Sequence, residues 1–167
     1  MPDARELQAD GRLYPVRVVH EERRDDGPIE LRVRAALDRA LQETTGDVLV
    51  FLPGTGEIER CSDALDNLIR RHGVDVLPLH GRLDPRAQDA VLRPGPRRKV
   101  VLSTNVAESS LTIPGVTAVI DTGLCRELRH DRGRSVDVLE LARISMASAV
   151  QRAGRAGRTG QIGRAHV

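Results

Sequence analysis

The sequence of 167 residues predicts an α/β fold: an open, mainly parallel sheet with helices on both faces, plus a β-hairpin near the C-terminal end. Three observations carry this expectation. The runs "DVLVFLPG", "VDVLPLHG", "RKVVLST" and "VTAVIDTG" are short, apolar and closed by turn residues, as in strands buried on both faces. Amphipathic stretches of helical period stand between most of them, and strands alternating with helices imply parallel neighbours joined by crossovers. After Gly123 the apolar period changes to two, the period of a hairpin.

Each element follows in order. Residues 1–27 mix charges with one short alternation, "LYPVRVVH" (Leu13 to His20), a single strand between polar flanks. "EERRDDGP" reads as an exposed linker ending in Pro28, a favourable first helical residue. Ile29, Val33, Ala36, Leu37, Ala40 and Leu41 then recur at helical spacing, and Gly46 stops that helix. After the strand "DVLVFLPG", "GEIERCSDALDNLIRRHG" predicts one amphipathic helix with Gly73 just past its end. "VDVLPLHG" is followed by the helix "DPRAQDAVLR", with Asp84 as N-cap and Pro85 at the first helical position. Two more strands follow. "CRELRHDRGRSVDVLELARIS" alternates on both sides of the turn-like "HDRGRS" (His130 to Ser135), and a last helix starts near Met146.

Composition narrows the function. The chain is one domain's worth of residues and long enough to bury a core. A net charge of +2, from 26 basic and 24 acidic residues, predicts no strong polyanion binding by bulk charge, so any phosphate contact rests on local placement. Lys99 is the single lysine, a bias that nucleotide composition explains better than function. Tyr14 and Phe51 are the only aromatic residues, which argues against strand binding by an aromatic sheet. Cys61 and Cys125 are isolated, so neither a metal site nor a disulfide framework is indicated. With no signal-peptide pattern and no apolar run of transmembrane length, the expected compartment is the cytoplasm.

Three stretches carry candidate chemistry. In "QRAGRAGRTG" (Gln151 to Gly160), Gln151, Arg155 and Arg158 fall within an arc of about 60° on a helix, with Arg152 well off it. Ala153, Gly154, Ala156 and Gly157 leave the other side small enough to lie close against a neighbour. Guanidinium forks suit phosphate oxygens, and glycines costing about 1 kcal/mol each inside a helix argue against a merely solvated charged face. In "STNVAESSLTIPGV" (Ser103 to Val116), Ser103, Thr104 and Asn105 stand at a strand's carboxyl end, where open α/β sheets bind ligands. An ordinary hydroxyl-rich turn accounts for that pattern equally well. In "FLPGTGEIE" (Phe51 to Glu59), Gly54 and Gly56 permit close backbone approach before a helix N-terminus that favours anions. By itself this is weak, and His80 in "LPLHGRL" reads as a satisfied turn histidine.

Taken in order and spacing, "LVFLPGTGEIE", "LPLHGRL", "VVLSTNVAESSLTIPGV" and "QRAGRAGRTG" resemble motifs IV, IVa, V and VI of superfamily 2 helicases. "TNVAESSLTIPG" and "QRAGRAGR" are similar to the DEAH-box branch, most closely the bacterial HrpB type of ATP-dependent helicase. The resemblance implies the second of two RecA-like lobes that clamp ATP between them, with Mg2+ and the phosphates held mainly by the first lobe. Carried over by motif, Arg155 and Arg158 would be arginine fingers, Gln151 would organise the attacking water or the phosphate, and Thr112 would lie beside the nucleotide. Gly54 and Thr55, with Ser103, Thr104 and Asn105, would touch the backbone of single-stranded RNA or DNA. The hairpin from about Cys125 to Ile144 resembles the strand-separating or strand-guiding hairpin of DEAH helicases.

No GxxxxGK[ST] and no DEAH tetrapeptide occur, so the lobe alone is expected to be inactive. Pro114 stands where the family usually has an acid, and "ESS" replaces the commoner "ETS". The expected organisation is 1–27 as the end of the inter-lobe linker and an entering strand, and 28–161 as a RecA-like domain cut short after motif VI. Residues 162–167, "IGRAHV", resemble a translated sequencing adapter, which makes the chain a fragment whose sheet lacks its next strand. The alternative function is a free-standing, non-catalytic nucleic-acid-binding module on the same surface.

Overall fold

The computed structural model describes residues 15–19, 27–109, 111–131, 136–157 and 163–166. A six-stranded sheet is built from β1 (Val16–Val19), β2 (Asp47–Phe51), β3 (Asp75–Leu79), β4 (Lys99–Ser103), β5 (Val116–Asp121) and β8 (Gly163–His166). Its order is β1-β8-β5-β2-β4-β3, and every pairing is parallel. The antiparallel pair β6 (Leu124–Asp131) and β7 (Val136–Arg143) forms the separate hairpin.

Alternate residues of the central strands feed two cores, which is why those strands are apolar throughout. Val48, Val50, Val100, Leu102, Ala118 and Ile120 face one layer made by α1 (Ile29–Glu43), α2 (Thr55–Ala64) and α3 (Asp66–His72). Leu49, Phe51, Val101, Val116 and Val119 face the other, under α4 (Pro85–Leu92), α5 (Val106–Ser109) and the turn at Ala156. Helices therefore cover both faces, as the alternation predicts. No helix among the described residues is long and apolar enough to cross a membrane.

Local signals hold where the chemistry is local. Asp84 caps α4 by accepting from the N–H groups of Arg86 and Ala87 at 2.9 and 3.0 Å, and Gly73 ends α3 at φ 62°. Two expectations differ. The helix expected over Gly56–His72 breaks at Leu65, whose N–H donates to Ser62 O and whose side chain is fully buried, so the chain turns there to keep Leu65 and Leu68 in the core. Residues 163–166 form β8 between β1 and β5, in the place where the sheet was expected to lack a strand.

Candidate strand-binding cleft and the motif VI anchor

The carboxyl ends of β2, β3 and β4 open into a cleft of about 310 Å³. Gly54 and Thr55 line it after β2, His80, Gly81 and Arg82 after β3, and Thr104 and Asn105 after β4. The hairpin closes one side with Cys125, Arg126 and Leu139. Parallel strands put all their carboxyl ends on one edge, so residues from three separate motifs meet there. Ser103 does not join them. It is fully buried and its hydroxyl donates to Thr104 O at 2.8 Å, so the hydroxyl expected on the backbone of a strand is spent within its own turn.

The hairpin is fixed at its base. Thr122 Oγ1 donates to Phe51 O at 3.0 Å, Gly123 N–H donates to Asp121 Oδ1 at 2.9 Å, and Ile144 N–H donates to Gly123 O. Gly123 turns the chain at φ 69°, a left-handed conformation that favours glycine. A second tie joins the hairpin to α2: Arg126 donates to Glu57 Oε1 at 3.0 Å, the same oxygen that accepts from Arg60. Burial pushes the Glu57 carboxyl up, but the bonds from Arg126 and Arg60 prevail and hold it below its ordinary value.

Motif VI departs from the expected helix. The α-helix α6 (Met146–Ala153) gives way to a 3-10 turn over Gly154–Gly157. Arg152, near the end of α6, and Arg155, in the 3-10 turn, both point inward. Arg152, placed off the active face by the helical arc, is 1% exposed. Its Nε donates to Glu108 Oε2 at 3.0 Å and its Nη1 to Asp121 Oδ1 at 2.9 Å, while its guanidinium sits 4.7 Å from the Phe51 ring centroid. Glu108 also accepts from the Ser148 hydroxyl. Arg155 is 5% exposed. Its Nε donates to Glu108 O at 3.1 Å and its Nη1 to Leu111 O at 2.9 Å, with Nη2 also on Glu108 O.

The expected common face of Gln151, Arg155 and Arg158 is therefore corrected for its first two members: Gln151 is exposed and Arg155 is gripped by the motif V loop. Arg158 lies outside the described residues. Thr112 is exposed and shares a narrow cavity of about 10 Å³ with Arg155. The small residues also divide. Ala156 and Gly157 are buried, whereas a Cβ on Gly154 would meet nothing within 4 Å among the described residues, so close packing against them does not require glycine there. The role of Arg152 was missed because its partners lie 44 and 31 positions away. The three-residue spacing of the arginines was the available signal, since it is the period of a 3-10 turn. Among the described residues no group of three or more His, Cys, Asp or Glu side chains is placed to hold a metal ion.

A two-faced parallel sheet with its cleft at the strand ends and a motif VI turn anchored on motif V is an α/β lobe of the RecA-like kind. The chain belongs to the helicase conserved C-terminal domain family, whose pattern matches residues 32–160. It is 41% identical over 153 residues to the ATP-dependent RNA helicase HrpA of Escherichia coli K12, covering 89% of this chain and 12% of that protein. It is 36% identical over 164 residues to the probable ATP-dependent RNA helicase DHX40 of Homo sapiens, covering 86% of this chain and 21% of that one. The crystal structure of the E. coli DExH-box NTPase HrpB superposes with a TM-score of 0.83 at 36% identity, over 94% of this chain and 20% of that one. The chain thus spans about a fifth or less of the length of these relatives.

Proposed function

We propose that this chain is the second lobe of a DEAH-box ATP-dependent helicase that moves along single-stranded RNA or DNA. The cleft at the ends of β2, β3 and β4 carries the reading: two motifs with no sequence proximity contribute Gly54, Thr55, Thr104 and Asn105 to one surface. Amide N–H groups, hydroxyls and a side-chain amide contact sugar and phosphate without reading bases, which suits movement along any sequence. Ser103 supports the turn from beneath.

Motif VI supplies the link to ATP. In this reading the first lobe of the full-length protein holds ATP and its Mg2+, Gln151 and Arg158 complete the pocket, and Arg155 joins them when the motif V loop releases its guanidinium. Guanidinium and amide donors fit phosphate oxygens, and they leave metal ligation to the other lobe. Arg155 is bonded to the carbonyls of Glu108 and Leu111, which lie within the motif V segment leading from Asn105 to Thr112. A shift of that segment when a strand is gripped thus bears directly on the guanidinium. In this reading Thr112, which shares a narrow cavity with Arg155, lies beside the nucleotide.

Arg155→Ala in the full-length helicase tests the reading. Strand-stimulated ATP hydrolysis is expected to fall on the order of 10³-fold or more while strand binding persists, because a finger acts on the transition state. Near-normal turnover in that variant refutes the finger role. Salt-sensitive strand binding by a parent protein that lacks any ATPase activity favours the free-standing binding module instead.

A further inference from the structure

We infer that Arg126, at the base of the hairpin, is a phosphate-binding residue of the cleft, held ready by Glu57. The inference rests on the cleft being the strand-binding site. Arg126 leaves β6 on the face of the hairpin that it shares, by register, with Leu141 and the opposed Leu128 and Leu139. Leu139 and Arg126 both line the cleft, so this face overhangs it. The side chain of Arg126 is 40% exposed, whereas that of Glu57 is 8% exposed. One end of the pair is thus fixed in the wall and the other presented to solvent.

The mode of attachment leaves the guanidinium with donors to spare. Arg126 reaches Glu57 through Nη2 alone, on Oε1, an oxygen already shared with Arg60. Glu57 Oε2 is buried and has no partner among the described residues, so the two-pronged bond that would consume the fork is not made. A guanidinium has five N–H donors, and one is used here. Gly54 makes the close approach possible: a Cβ there would stand 2.8 Å from Arg126 Nε and 2.9 Å from Glu57 Oε2. The guanidinium therefore lies against the backbone of Gly54, beside the first N–H groups of α2, whose N-terminus favours an anion. A phosphate lodged between Thr55 and the hairpin meets the helix end on one side and Arg126 on the other.

Glu57 has a second consequence. A lone arginine at 40% exposure samples many rotamers, and the carboxylate restricts it to the cleft before any strand arrives. It also lowers the local positive charge, so phosphate is met by a placed donor, not by a diffuse patch. This fits a chain with a net charge of only +2.

The test is equilibrium binding of fluorescein-labelled U20 and dT20 to this chain, between low and moderate salt, for wild type and four variants. With Arg126→Gln, affinity is expected to fall on the order of tenfold, and the slope of log K against log salt to shrink by about 0.7, the share of one phosphate on a single strand. Arg126→Lys is expected to keep the slope. Arg60→Gln removes the same charge from the same carboxylate outside the cleft and is expected to leave the slope unchanged. Glu57→Gln cuts the tether but keeps the Arg126 charge, so the slope stays at the wild-type value. If Glu57→Gln reproduces the loss seen with Arg126→Gln, Arg126 only braces the hairpin and the inference fails. It also fails if wild type binds with salt dependence and Arg126→Gln has the same slope. Absence of any strand binding by wild type at low salt overturns the strand-binding reading of the cleft as well.

Discussion

Replacing Arg152 with alanine removes a guanidinium that the buried Asp121 and the half-buried Glu108 share. Asp121, whose side chain is 1% exposed, would keep only the Gly123 N–H, and Glu108 would keep the Ser148 hydroxyl. Breaking a buried ion pair by deleting one partner costs about 3–5 kcal/mol, because the remaining charge is stranded in a poorly solvating site. Loss of the contact 4.7 Å above Phe51 adds about 1 kcal/mol. Against a total domain stability of about 5–15 kcal/mol this is a large fraction. Urea unfolding followed by circular dichroism reads it: with an m-value near 2 kcal/mol/M, a 4 kcal/mol deficit lowers the midpoint by about 2 M.

The deficit also carries a pH signature. Burial pushes the Asp121 carboxyl above its ordinary value even while Arg152 opposes the rise. Without Arg152 that opposition is gone and the carboxyl rises further, so the folded state binds a proton that the unfolded state has released. Stability then falls as pH climbs through the folded value, and the penalty is relieved as pH drops back through it. Arg152→Ala is therefore expected to lose more stability relative to wild type at pH 7.5 than at pH 5, and adding Asp121→Asn should recover part of the loss. A deficit under 1 kcal/mol, or one equal at both pH values, refutes the assignment of Arg152 as the charge partner.

Other consequences are simpler to measure. Gly46→Ala is expected to destabilise by about 1–3 kcal/mol in the same urea assay, since its Cβ would stand 2.3 Å from Thr117 Cγ2 and 2.6 Å from Gly115 O, whereas Gly154→Ala meets nothing within 4 Å among the described residues and should be tolerated. Cys61 is fully buried, and burial pushes its thiol up to about 12, so about one molecule in ten thousand is thiolate at pH 8. A thiol reagent should therefore label Cys61 only after denaturation, and rapid labelling of the folded chain would show that the α2 layer opens.

Much of the fold was legible because its causes are local. The strand at "VLVF" is apolar at every position because its two sides feed different cores, and that pattern is written in consecutive residues. Asp84 and Gly73 announced helix ends through bonds and torsions within three or four residues of themselves. The cleft was partly legible: Gly54, Thr55, Thr104 and Asn105 were marked by their motifs, while Arg126 carried no motif signal of its own.

The sequence alone determined the alternation of strand and helix, the parallel sheet and the helicase motifs, since each depends on neighbours along the chain. Tertiary structure decided the rest. It broke the helix at Leu65 to keep that side chain in the core, and it wound the end of motif VI into a 3-10 turn that sets Arg155 on Glu108 beside Arg152. It also set β8 between β1 and β5. In each case the deciding partner is distant in sequence: a guanidinium turns inward only when a carboxylate and a ring some forty to one hundred residues away are folded to meet it.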